Sequence, residues 1–241
     1  MTALHPQTPS SSSAASPTTR TGTGQEPLNG FVVDLFGVMA YGELSAFERL
    51  SSDARFSPTL RDRAALGRLA VTEFEHFEMV SAHLAGLGVD VEEAMSPFQA
   101  SIDSFHERTR PADWYESLMK AYVIDAISAD FYTALAEHLD APTRDLIARI
   151  QSTAEQGGLL QSRLKSALSD DPRLASRLAL WGRRLVGEAL TQAQRVGIER
   201  QFLGGLLFGA ADVDQERETA QLFAQLTRNH SRRMSSLGLT A

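Results

Sequence analysis

The chain has 241 residues, 43 % of them hydrophobic, and 30 acidic against 23 basic side chains for a formal charge of −7. That length suits one sizeable core, and the charge balance excludes the dense cationic stripe of a non-specific DNA binder. Cysteine is absent, which removes disulfides, zinc–thiolate sites, iron–sulfur clusters and thiol nucleophiles together, so any metal must sit on oxygen and imidazole.

The N-terminus lacks the basic and apolar regions of an export signal, and no run of about 18 apolar residues is expected to span a bilayer. The expectation is a cytoplasmic protein with no membrane and no DNA among its partners. Residues 1–28, with the run TPSSSSAASPTTRTGTG, hold too little apolar surface to offset the entropy of ordering and are expected to form a disordered tail. A single helical domain is expected over residues 29–237.

From Leu28 onward apolar residues recur at steps of three and four, and alternating strand-like runs are essentially missing, so the class is all-α. A first helix is predicted from about Gly30 to Ser52. Pro58 marks the start of a second, ending near Gly86 to Gly88, and the two should pair antiparallel. The stretch VDVEEAMSPFQASIDSFHERTR predicts one or two short helices broken before Pro97, in a connection long enough to cross a bundle end to end. Pro111 and Asp113 open a third helix through about His138. Pro142 and Thr143 open a fourth that runs into Gly157 and Gly158, where adjacent glycines weaken it. A fifth begins at Asp171 and Pro172 and carries LALWGRRLVGEALTQAQRV, and a last one is predicted from about Asp214 to Met234.

Three of these helices carry an acid where the period demands a core residue. The first reads Phe36, Met39, Glu43, Phe47, Leu50; the second Leu66, Leu69, Glu73, His76, Val80, Leu84; the third Leu118, Ala121, Asp125, Ser128, Tyr132, Leu135. Glu73 and His76 form a Glu-x-x-His pair on one face. Buried carboxylates need a shared proton, a cationic partner or a metal, and carboxylate oxygen with imidazole nitrogen is a donor set for iron or manganese. Glu43 to Glu73 and Asp125 to Glu155 have the same spacing, so the two halves read as repeats, with acids five apart in both ELSAFE and DAISAD. His76 of the first half maps to Gly158 of the second.

One Glu followed by Glu-x-x-His, repeated across a long crossover, resembles the ferritin-like di-iron carboxylate proteins. Within that superfamily, VIDAISADFYTALAEHLD and FEHFEMV resemble the bacterial tRNA hydroxylases that act on methylthio-isopentenyladenosine (MiaE type), over roughly residues 30–168. The resemblance implies a ferritin-like four-helix bundle with additional C-terminal helices. It also implies one or two irons, with manganese the alternative, held by Glu43, Glu73, His76, Asp125 and Glu155, and an oxygen-activating hydroxylase with a modified tRNA adenosine as substrate. Glu188, on the stripe of the fifth helix, is a candidate replacement acid, while Arg183, Arg184 and Arg195 are candidate phosphate contacts. The contrasting expectation is a non-catalytic ferritin-like protein with a degenerate site, serving as an interaction or structural module. A homodimer through the last two helices is open.

Overall fold

Local capping explains where four of the helices begin. The Thr59 hydroxyl and the carboxylates of Asp90, Asp113 and Asp140 each accept a hydrogen bond from the backbone N–H three residues on. Each cap satisfies a donor the helix cannot, a contribution of about 1 kcal/mol. The computed structural model describes residues 25–152, 154–199 and 213–241. Its helices are α1 (Gln25–Asp53), α2 (Leu60–Gly86), α3 (Val91–Arg108), α4 (Trp114–Ala136), α5 (Ala141–Ile150), α6 (Ala154–Asp170), α7 (Leu174–Glu199) and α8 (Val213–Ser236), with a 3₁₀ turn at Ala54–Phe56 and no strand among the described residues. The class is all-α, as the periodicity implies. α1 starts at Gln25, within the stretch expected to be tail; residues 1–24 lie outside the described residues, as does the glycine-rich FLGGLLFG segment.

α1 and α2 pack along each other as one hairpin, α4 packs on α6 and α7, and α8 lies against α4 and α7. Two apolar clusters result. One gathers Leu35, Phe36, Met39, Val80, Leu84, Phe98, Leu135 and Ile147; the other gathers Leu66, Leu69, Leu118, Met119, Leu164, Leu178, Leu185 and Met234. Along α2 the first cluster resumes at Val80 where the second stops at Leu69, and along α4 Ile127 and Tyr132 mark the same change. Glu43, Glu73 and His76 fall in that gap, so a polar layer separates two apolar ones.

Two sequence expectations are corrected. Residues 91–108 form one continuous helix with Pro97 inside it, not short helices broken before the proline. Proline removes one ladder hydrogen bond, a cost of about 3 kcal/mol in a helix interior. Burial of Ala94, Phe98, Ser101, Phe105 and His106 on one face of α3 offsets it. α3 sits so close to α1 that a Cβ added to Gly37 would lie 2.3 Å from the Ala94 carbonyl oxygen. The second correction concerns the fourth helix: the chain leaves it at Gln151 and restarts at Ala154, so α5 and α6 are separate and both glycines lie inside α6.

The stretch Asn29–Phe56, essentially α1, is long and apolar enough to cross a membrane by length and composition, contrary to the expectation that no such run exists. Half of that apolar window is buried here, against α2 and α3, and the helix carries Glu43 into the polar layer.

Candidate metal centre

On α2, Leu66, Leu69, Glu73, His76, Val80 and Leu84 are all buried, so the stripe read from the sequence is the core face of that helix. Glu43 faces it from α1. The His76 Nδ1 lies 3.6 Å from Glu43 Oε2 and 3.5 Å from Glu73 Oε2, and each of the three residues is 8 % exposed. One donor atom from each falls within 4.8 Å of the others. Donors about 2 Å from one ion and at right angles to each other stand about 3 Å apart, so small side-chain adjustments bring these three onto a single cation. Two carboxylates and an imidazole suit iron or manganese, and the buried negative charge demands a cation. The residues present therefore fit a metal.

Electrostatics show how the cluster compensates itself without one. Burial works against a charged His76, but hydrogen bonding to Glu43 and Glu73 and their negative charge outweigh it and hold its pKa up at about 10. The trapped imidazolium is the stand-in cation. Glu73 is pushed up, by burial first and then by the charge of Glu43, against the opposing pull of His76. Tyr132, buried, is raised by burial and by the Glu43 charge and stays protonated; its hydroxyl oxygen lies 3.4 Å from where a Cβ on Gly42 would be.

Gln151 is the site residue that sequence reading missed. Its Nε2 donates to Glu43 Oε1 at 3.3 Å, which leaves Oε2 for His76. It lies where α5 ends, a break hidden by the helical pattern on either side, and only the chain reversal brings it across to α1.

Asp125 lines the same cavity as Glu43 and Glu73, but it is half-buried, not the buried third acid that the stripe implies. The backbone of Glu155 lies in the first turn of α6, and its side chain lies outside the described residues. Gly158, which matches His76 by spacing, is exposed and has open space where a Cβ would be. The 30-residue correspondence fails here for a structural reason: the helix ends at Ile150 and a new one starts at Ala154, so equal spacing no longer gives equal facing. Glu188 does not join the cluster; its carboxylate is 3.6 Å from Arg108. Asp130 is tied to Arg233 by two hydrogen bonds of 2.7 Å and accepts a third from Asn229, fastening α8 to α4. Arg183 donates to the Thr240 carbonyl and Arg184 to that of Arg108, so two of the three candidate phosphate contacts are engaged within the chain.

A cavity of about 240 Å³ opens beside the triad. Val38, Leu69, Ile124, Ile127 and Phe131 line it, with Glu43, Glu73, Asp125, Tyr132 and Gln151 at one part of its wall. A family model described as a ferritin-like domain of actinomycetes matches residues 26–210. No curated protein matches the chain.

Proposed function

The chain belongs to the ferritin-like domain family of actinomycetes, and on that footing we propose that it is a metal-dependent hydroxylase of the di-iron carboxylate kind, acting on a substrate held in the cavity beside its triad. The observation that carries this reading is a buried Glu–Glu–His group whose two carboxylate residues, Glu43 and Glu73, line a mostly apolar chamber. Glu43, Glu73 and His76 would hold the first ion, with Asp125 and Glu155 as the further ligands implied by the resemblance to MiaE-type hydroxylases. Iron held there would supply activation of dioxygen.

The protein's own groups have separable tasks. Gln151 holds one oxygen of Glu43 so that the other points to His76. His76 would hold a metal only as the neutral imidazole, which makes uptake pH-dependent. Ile124, Ile127 and Phe131 keep water from the chamber, and protonated Tyr132 offers a hydroxyl beside Gly42. The same resemblance supports a modified tRNA adenosine as one substrate.

A second reading, a ferritin-like scaffold with a degenerate site, is favoured by outward-facing Gly158. Elemental analysis of protein from iron-supplemented cells separates the two. Near-stoichiometric iron or manganese, lost in Glu73→Ala and His76→Ala, supports the hydroxylase. No metal in the parent protein, even after anaerobic ferrous loading, overturns it and leaves the scaffold.

A further inference from the structure

The cavity has a second polar wall that the metal centre does not use. Lys120 of α4 lines it and is only 6 % exposed. Its ammonium stands 5.5 Å from the Phe105 ring, and among the described residues no carboxylate lies within 4 Å of it. Asp53 attracts it from a distance but takes its hydrogen bond from Ser117, at 3.0 Å. Burial, first of all, lowers the Lys120 pKa to about 8, so near neutral pH the amine still carries its proton.

The neighbouring groups make this wall electropositive. Arg49, exposed, lines the same cavity. Asp53, half-buried, sets one negative charge against the two cations Lys120 and Arg49. His106 contributes no charge: burial holds it neutral. The Ser45 hydroxyl donates to the Gly42 carbonyl, so its oxygen accepts from His106 Nε2–H at 3.2 Å. Gln192 also lines the cavity; its Oε1 accepts from Ser101 at 2.9 Å, while its buried Nε2 has no partner. A buried ammonium without an ion pair and a buried amide donor without an acceptor are both costly unless something completes them.

We propose that the cavity binds a small amphipathic monocarboxylate, its carboxylate on Lys120 and Gln192 and its apolar body reaching toward Glu43, Glu73 and His76. Size and spacing agree. An apolar cavity of about 150 Å³ accommodates benzene, so about 240 Å³ corresponds in proportion to about ten non-hydrogen atoms. Along α4, Lys120 and Asp125 are five residues apart, about 7.5 Å at 1.5 Å per residue, which is the length of such a molecule. An anion seated at Lys120 keeps its charge away from the acids and presents its carbon end to them. The ligand class rests on the hydroxylase reading for the identity of the reacting end, not for the anchoring end.

The test is calorimetric titration of the full-length protein, metal-free and iron-loaded, near neutral pH with phenylacetate, octanoate and the neutral phenylacetamide. Saturable binding of a carboxylate is expected, with phenylacetate at least about 10-fold tighter than its amide, as one charge-assisted hydrogen bond requires. Lys120→Met keeps the apolar stem, loses the charge, and should weaken carboxylate binding about 10- to 100-fold with metal content unchanged. Equal affinity for acid and amide in the parent protein overturns the proposal whether or not the variant folds. So does unaltered carboxylate affinity in Lys120→Met, no saturable binding of either carboxylate, or binding of bulk tRNA but of no carboxylate. Iron content of the same preparations reports separately on the hydroxylase reading: a parent protein that takes no iron yet binds carboxylate through Lys120 defeats that reading alone.

Discussion

Replacing His76 by Ala separates the two roles assigned to that side chain. In the metal-free protein the imidazolium is the cation between two carboxylates whose side chains are each 10 % exposed. Removing one partner of a buried charge cluster costs about 3–5 kcal/mol, and at about 2–4 °C per kcal/mol for a chain of this size the melting temperature should fall by at least about 6 °C near neutral pH. The sign of the pH dependence is fixed by His76 itself, whose folded-state pKa is held up at about 10, above its usual value of 6.5. A raised imidazole pKa contributes stability that is present below its unfolded value and lost as pH rises through the folded one. The variant should therefore fall furthest behind the parent protein at about pH 6 and recover relative to it as pH rises toward about 9. Metal gives the second readout. Iron at about 100 times its dissociation constant stabilises the parent by about 2.7 kcal/mol, or roughly 5–11 °C, and that increment should vanish in His76→Ala. Differential scanning calorimetry with and without chelator, at both pH values, measures all of this. A metal-free variant as stable as its parent at neutral pH, or one that keeps the metal-dependent increment, would refute the account of the triad.

Other perturbations test the frame around the site. Gly37→Ala should destabilise by about 1–3 kcal/mol because its Cβ meets the rigid Ala94 carbonyl, whereas Gly67→Ala, with open space at the same test, should stabilise α2 by about 0.5–1 kcal/mol; urea titration distinguishes them. Asp125→Ala should lower bound metal, while Glu188→Ala should leave it unchanged because that carboxylate faces Arg108; elemental analysis checks both. Arg233→Ala removes the two hydrogen bonds to Asp130 that fasten α8. Amides of α8 should then exchange faster than in the parent protein while those of α2 keep their protection.

The all-α class, the α1–α2 hairpin and the buried Glu43, Glu73 and His76 were legible because a helix repeats every 3.6 residues and a carboxylate in an apolar stripe stands out against that period. Asp125 was legible as a position on the stripe but not in its depth: burial depends on what packs opposite, and here a cavity does. The fate of Glu188, Asp130, Arg183 and Arg184 depended on partners about 57 to 103 residues away in sequence, which no local pattern encodes. Pro97 misled because the rule that proline breaks helices is local, while the packing of Phe98 and Phe105 that overrides it is not. The second half of the apparent repeat failed for the same reason. Sequence spacing predicts facing only along an uninterrupted helix, and the turn between α5 and α6 broke that relation, sending Gly158 to the surface and Gln151 to Glu43. Periodicity determined which side chains point inward on each helix; only the folded chain decided which of them meet, because meeting is a property of helix pairs and their breaks.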